Sequence, residues 1–395
     1  MKSVQHKLSA FIYSISHINN KEKVMAGSVR KEGTTWYYVL ERYENGKRKQ
    51  QKRRGFPTKK EAQKALIEAQ NAILTGTFVK PTSMLVQDYL IEWMNAKKHT
   101  IGRETAKANL SFINNHIIPE IGHVQLSKLT AHDIQNMIGR LLEKGLASST
   151  VKRIYNITNT SLNKAEKMQL IQKNVAALVD KPKVKRKELS VWSINEVNQF
   201  LEAAKQSRYY IAFYLAIMTG MRQGEILGLR WQDVDLDNGK VYIRQTLSHD
   251  GKEFNVGAKT RAGVRSITID AVTCEELAKH RTINELEKKH AEANGIYTDK
   301  DLVICTSTGN QLTPRDLVKA FRRILLKTNL SSITFHDLRH THASLLLMQN
   351  IHPKIVSERL GHSSIQMTLD TYSHLMPNMQ EEAANELANA LFRKN

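Results

Sequence analysis

The stretch Thr334–Leu347, "TFHDLRHTHASLLL", sets His336, His340 and His342 around a single arginine, Arg339, in front of a run of leucines. Three readings compete: a zinc site, histidines buried in a helix, or half of a site built for an anion. His336 and His340 are four apart and would share one helical face. The glutamate that a His-Glu-x-x-His metalloprotease uses as its base is missing, Asp337 standing in its place, and Arg339 would set a cation beside the metal. A guanidinium instead offers a rigid fork of donors that matches a carboxylate or phosphate bidentately. This favours His336 and Arg339 as partners on one phosphate. His340 and His342, following the arginine in what should be a buried helix, are expected to be structural.

One arginine is a weak sign, so the rest of the C-terminal half decides. "MTGMRQGEILGLRWQDVD" offers Arg222 after a bend at glycine, with Glu225 three residues on and able to orient it. "VGAKTRAGVRSITI" sets Lys259 near the tip of an expected hairpin, where a long ammonium-bearing chain reaches a bound substrate. "ERLGHSSIQMTLDTYSHL" adds His362 and, ten positions later, Tyr372. Singly, each has a bland reading: a capping arginine, a solvated turn lysine, or a packed tyrosine, one of 12 in the chain.

Composition sets the bounds. A chain of 395 residues divides into roughly two or three domains. Its 41% hydrophobic residues suffice for cores, while 25% charged residues and a mean hydropathy of -0.44 argue against an integral membrane protein. The apolar patch Leu8–Ile18 is too short to span a bilayer and no cleavage site clearly follows it, so no signal peptide is expected. Cys274 and Cys305 cannot build a disulfide framework or a multi-cysteine zinc finger, which suits a cytoplasmic chain. Lys and Arg number 59 against 38 Asp and Glu, a net charge of +21, and such a balance favours nucleic acid as partner over membrane.

Along the chain the patterns change. In Gly27–Lys64, Trp36, Tyr38 and Leu40 alternate, Asn45-Gly46 marks a hairpin turn, and Thr58 to Glu61 has capping form, predicting a small sheet and a helix. Its cations, among them Arg42, Lys47, Arg48, Lys52, Arg53 and Arg54, interleave with aromatics as on a DNA-reading sheet, or form a solvated basic face. From about Ser83 to Val179 apolar residues recur at helical spacing, Pro119 and Gly122 break the run, and Thr130–Asp133 has capping-box form, so at least four helices should form a bundle. "DKPKVKRKELS", with Lys183, Lys185 and Arg186, reads as a basic linker suited to a phosphate backbone. Past Ser193, helices flank the strands "KVYIRQT" and "VRSITID". Ala383, Leu387, Ala390 and Leu391 trace a terminal amphipathic helix that packs on its own domain or on a neighbouring copy.

As an ordered set, "TGMRQGEILGLRW", "AKTRAGVRSITI", "HDLRHTHAS", "LGHSS" and "TLDTYSH" resemble the tyrosine recombinases, specifically the integrases of phages and conjugative elements. The resemblance is detailed over the C-terminal half and looser before it. It implies a multidomain, mainly α fold with small β sheets. An extension over 1–26 reads as a start assigned too early, since "MAGSVRKEG" from Met25 resembles a family N-terminus. There follow an arm-type DNA-binding domain over 27–80, a helical, SAM-like core-binding domain over 81–180 and the linker over 181–190. A mixed α/β catalytic domain over 191–378 and a C-terminal helix over 379–395, exchanged between protomers, complete the chain.

The resemblance also implies chemistry. Tyr372 attacks the scissile phosphodiester to form a 3′-phosphotyrosyl bond, Arg222 and Arg339 clamp the non-bridging oxygens, and Lys259 protonates the departing 5′-oxygen. His336 and His362 serve the phosphate or the nucleophile's proton, and Glu225 supports. No cofactor or metal is expected, and the partners are double-stranded attachment sites, three further copies on the DNA, an excisionase and a host DNA-bending protein, in the cytoplasm at the nucleoid. Two other readings stay open: a DNA-binding regulator with an inactive recombinase-like domain, and a relaxing enzyme resembling type IB topoisomerases.

Overall fold

The computed structural model describes residues 24–44, 47–74, 83–184, 189–257 and 265–373, with 384, 387–389 and 391–392. The chain divides into two compact units, Met1–Arg186 and Lys187–Asn395.

In the first unit, strands β1 (Val24–Glu32), β2 (Thr35–Glu44) and β3 (Lys47–Phe56) form an antiparallel meander followed by helix α1 (Lys59–Leu74). β1 begins at Val24, three residues before the expected boundary. The alternation of β2 works as period two requires: Tyr38 and Leu40 lie on one face and are buried with Leu66 and Ile73 of α1. Thr58 opens α1, accepting a hydrogen bond from the Glu61 amide at 3.2 Å. β2 and β3 pair down to Glu44 and Lys47; the Asn45-Gly46 turn itself lies outside the described residues, as do residues 1–23.

The helical part of this unit comprises α2 (Val86–Lys97), α3 (Arg103–Phe112), α4 (Ile118–Ile121), α5 (Ala131–Glu143) and α6 (Ser148–Lys167). Their apolar stripes share one core, including Leu90, Ile113, Ile134, Met137 and Ile154. Pro119 does not break the run. A π-helical turn over Ile113–Ile117 carries the helix into α4, where proline sits at the first turn and its missing N–H is tolerated. Thr130 and Asp133 form the expected reciprocal capping box.

The second unit begins with α7 (Ile194–Ala204), capped reciprocally by Ser193 and Glu196, then α8 (Tyr210–Thr219) and the short α9 (Gln223–Leu227). Small strands follow: β4 (Val234–Asp235), β5 (Lys240–Ile243), β6 (Gln245–Leu247), β7 (Phe254–Val256) and β8 (Arg265–Thr268). They pair as an antiparallel sheet in the order β4-β5-β8 and a β6-β7 ribbon. Helices α10 (Ala271–Ala293), α11 (Pro314–Leu325), α12 (Asp337–Met348), α13 (Pro353–Leu360) and α14 (Ile365–Tyr372) complete it. α8 is apolar all round, with Ile211 through Ile217 buried, and α12 packs against it.

Trp192 ties the start of this unit to its core. It is buried among Phe200, at 5.0 Å between ring centroids, and Phe321, at 6.2 Å. Its indole N–H donates to the Ser331 carbonyl, and its amide donates to the Thr341 hydroxyl on α12. Truncation to Trp192→Ala is expected to cost about 3–5 kcal/mol, measured as a lowered urea midpoint of the full chain; a loss below about 1 kcal/mol would contradict this packing.

Candidate active site

The site forms where two helices end. α8 stops at Gly220, whose φ of +66° turns the chain left-handed; α13 stops at Gly361, with φ +68°. A Cβ on Gly220 would lie 2.6 Å from both the His342 ring and a Leu360 methyl, so glycine is required there twice over. Arg339, in the first turn of α12, is buried between these ends. Its Nη1 donates to the Gly220 carbonyl at 2.7 Å and its Nη2 to the Leu360 carbonyl at 2.8 Å. Burial, reinforced by Arg222, pulls it down to about 9, so it remains a cation at neutral pH.

Arg222 is the N-cap of α9. Its Nη1 donates to Glu225 Oε1 at 2.9 Å, its amide to Oε2 at 2.8 Å, and its Nη2 to the Gly361 carbonyl at 3.4 Å. The two arginines thus meet at the Leu360–Gly361 backbone. Glu225, three residues on from Arg222, binds it here, and a second cation that the sequence reading missed joins them. Arg265 grips the same carboxylate with two bonds of 3.0 Å and donates from Nε to the Arg359 carbonyl at 2.8 Å. Its signal was legible: period two on β8 puts Arg265 on the face of buried Ile267, an arginine where an apolar residue belongs. Burial works to raise the Glu225 carboxyl, but the hydrogen bonds and charge of Arg265, then Arg222, prevail and hold it below the ordinary glutamate range.

Around the arginines stand the histidines and the tyrosine. His336, at the N-cap of α12, is open to solvent, yet desolvation, then Arg339 and Arg222, still disfavour its charged ring. Asp337 is no base for a metal: its carboxylate accepts from the Thr334 amide at 2.7 Å and hydroxyl at 2.8 Å. His362 meets Thr368 Oγ1 through Nδ1 at 2.8 Å and is pushed down to about 4 by burial, then by Arg339, Arg222 and Arg265. Tyr372, 1% exposed, ends α14 in an apolar cluster with Ala343, Leu347, Val356 and Leu360. Burial raises its phenol to about 12.

The two histidines expected to be structural part company. His342 is one, with Nδ1 on the Ile217 carbonyl at 2.7 Å and Nε2 accepting from Arg359 Nε at 3.2 Å. His340 is not simply packed: its Nδ1 lies 2.6 Å from the Tyr372 hydroxyl. Helical geometry sets His336 and His340 on one face, their ring centroids 5.1 Å apart. What the sequence could not show was α14 bringing Tyr372 onto that face.

Some sequence candidates are not brought together. Lys259, Lys185 and Arg186 lie outside the described residues, as do the side chains of Arg42 and Lys47. Lys183 is exposed in the first unit. Arg48 pairs with Glu41 at 2.6 Å, while Lys52 and Arg54 pair with Glu32 at 3.2 and 2.8 Å. Lys52 also lies 3.7 Å from the Tyr37 ring centroid, and Arg53 is exposed beside Phe56. Among the described residues, no group of three or more His, Cys, Asp or Glu could hold a metal ion, and no helix is long and apolar enough to cross a membrane.

Three family models tile the chain in order: an arm DNA-binding domain over residues 28–73, a SAM-like N-terminal domain of phage integrases over 85–142, and the phage integrase family domain over 191–379. A XerC-like tyrosine recombinase of Caldanaerobacter subterraneus is 28% identical over 92% of this chain and 98% of its own length. The ICEBs1 integrase of Bacillus subtilis is 29% identical over 71% of this chain and 76% of its own. The chain belongs to the tyrosine recombinase family, among the integrases of phages and mobile elements. Its fold is that of the Tn1549 transposon integrase, solved with a circular intermediate DNA (TM-score 0.66, 18% identity, 78% of this chain and all of that one). A lambda integrase tetramer bound to a Holliday junction shares it at a TM-score of 0.56, with 22% identity over 88% of this chain and 94% of that one.

The Glu225 pairs make a pH prediction. A carboxyl whose folded value lies below its unfolded value of about 4.5 stabilises fully above that value, and the contribution is lost as pH falls through the folded one. Wild type should therefore exceed Glu225→Gln in urea midpoint at pH 7, with the gap narrowing steadily below about pH 4.5. A gap independent of pH would contradict the ion pairs.

Proposed function

We propose that this chain is a site-specific DNA recombinase that integrates and excises a mobile element, cutting and rejoining attachment-site DNA through a 3′-phosphotyrosyl intermediate. The observation that carries the reading is the convergence of Arg222 and Arg339 on the Leu360–Gly361 backbone, with His336 and His362 near them and Tyr372 within one histidine of the cluster. Both guanidiniums keep N–H donors beyond those given to backbone and Glu225, because each has five. Those donors clamp the non-bridging oxygens of a phosphodiester, where positioning and electrostatics dominate catalysis.

Tyr372 Oη attacks the phosphorus and the bond to the 5′-oxygen breaks, with Lys259 as the acid for that oxygen, an assignment resting on the family resemblance. His336 and His362 donate to the phosphate. The bond energy stays in the phosphotyrosine, so a partner strand's 5′-hydroxyl can reseal it without a nucleotide. Glu225 and Arg265 hold Arg222 in place.

The exposed cations of β3 read accessory arm sites and the helical part of the first unit grips the core half-site. Four copies then join two duplexes, the assembly seen for lambda integrase on a Holliday junction. Leu387, Leu391 and Phe392, all exposed at the C-terminal end, dock on a neighbouring copy. An excisionase and a host DNA-bending protein are the further partners that direction control requires.

The test mixes DNA flanking the gene with protein and detects an SDS-resistant, protease-sensitive adduct. Wild type should form it and Tyr372→Phe should not; Arg222→Gln and Arg339→Gln should slow it by about 10²–10³. No adduct from wild type on DNA it binds specifically would leave a DNA-binding regulator. On arm-site DNA, replacing Lys52, Arg53 and Arg54 with alanine should weaken binding and shallow its salt dependence by about one unit of slope for each phosphate no longer neutralised. An unchanged slope would remove β3 from the interface.

A further inference from the structure

The proposed chemistry names an acid for the leaving oxygen but leaves the nucleophile's own proton without a destination. Of the histidines near the arginines, His336 faces solvent and His362 gives its Nδ1 to Thr368. His340 alone among the described histidines touches Tyr372, Nδ1 to Oη at 2.6 Å, with ring centroids 5.8 Å apart and planes tilted by 53°. We propose that His340 is the general base of cleavage, taking the Tyr372 proton on Nδ1 as Oη bonds to phosphorus and returning it on resealing. This inference rests on the reading of Tyr372 as the nucleophile.

Both partners of that hydrogen bond rest in their neutral forms. Desolvation, then His336, push the His340 ring down, Asp337 pulls the other way and Arg339 adds the smallest push, while burial holds the phenol near 12. His362 is the other titratable ring near it. In the tautomer with its own proton on Nε2, the neutral imidazole accepts from the phenol on Nδ1, and this is the arrangement from which cleavage starts. At neutral pH roughly one such phenol in 10⁵ would be ionised without help, so the attacking oxygen needs an acceptor within hydrogen-bond reach, and His340 already occupies that place.

The step balances. Cleavage forms Oη–P and breaks P–O5′; the phenolic proton goes to His340 and the 5′-oxygen takes one from the acid. Resealing forms P–O5′ and breaks Oη–P; the incoming 5′-hydroxyl returns its proton to the conjugate base of the acid, and the departing Oη regains its own from His340. His336, its ring 5.1 Å away on the same helical face, works against the imidazolium, while Asp337 lies close enough to favour its charge.

The test is single-turnover adduct formation by the full chain on core-site DNA, with binding of the same DNA as the control for folding. His340→Ala should be slower by about 10²–10⁴-fold at unchanged affinity, and added imidazole should restore part of the loss. His340→Asn, which keeps an acceptor oxygen near the Nδ1 position but cannot take a proton, should stay slow and keeps the test open if the alanine variant folds poorly. With a 5′-bridging phosphorothiolate, whose sulfur leaves without a proton, Lys259→Ala should recover and His340→Ala should not. A His340→Ala rate within threefold of wild type, a faster one, or full activity in His340→Asn would overturn the assignment in favour of a latch or a mere anchor. If wild type itself forms no adduct on bound DNA, it is the nucleophile reading that falls.

Discussion

Two helix ends of the second unit meet at a buried guanidinium, Arg339, which among the described residues is held by backbone carbonyls and not by a carboxylate. Arg339 is 4% exposed, and a cation taken out of water is tolerated only where its hydrogen bonds are satisfied. The satisfaction comes from the carbonyls of Gly220 and Leu360, at the C-terminal ends of α8 and α13. Helix C-termini carry unpaired carbonyls and the negative end of the macrodipole, so two of them converging on one arginine offset its charge without neutralising it. A carboxylate there would have quenched the site. Backbone carbonyls hold the cation and leave it free to bind an anion.

The same logic explains the glycines. To end α8 and α13 close enough for one side chain to bridge them, the backbone must turn left-handed at once, at Gly220 and Gly361. At Gly220 there is also no room for a methyl group between His342 and Leu360. His342, bound to Ile217 and Arg359, therefore matters through packing: it forms the wall against which the turn closes. The short α9 then starts from Arg222, and its first-turn Glu225 serves as cap, arginine clamp and counter-charge to Arg265 together.

Much of this was readable in the chain, and the misses share a cause. The sheet-and-helix start and the capped helices at Thr130 and Ser193 follow from local rules of period and capping, Glu225 was set beside Arg222 by its spacing, and the grouping of Arg222 with Arg339 came from the family resemblance. Pro119 was misjudged because a π-helical turn lets a helix absorb a proline, and nothing in five residues of sequence announces it. Arg265 and His340 were missed for a different reason: each has its meaning only through a partner far along the chain, Glu225 forty residues away and Tyr372 thirty-two. Local pattern places a side chain on a face; only tertiary structure says what that face meets.

Electrostatically, the site is incomplete by itself. Arg222, Arg265 and Arg339 face one carboxylate, Glu225, and the surplus positive charge suppresses further protonation nearby: the causes that lower His336 and His362 include these same arginines. A phosphodiester would supply the missing negative charge, easing the repulsion among the arginines and raising the affinity of both histidines for protons. Tyr372 fits this picture from the other side. Buried in an apolar cluster with its phenol raised to about 12, it rests un-ionised, with the nearby charge of Arg339 pulling the other way. On the proposed reading, a phosphate seated between the arginines would offset part of that charge, so the phenol needs a proton acceptor at hand, and His340 Nδ1 at 2.6 Å is the one the fold supplies.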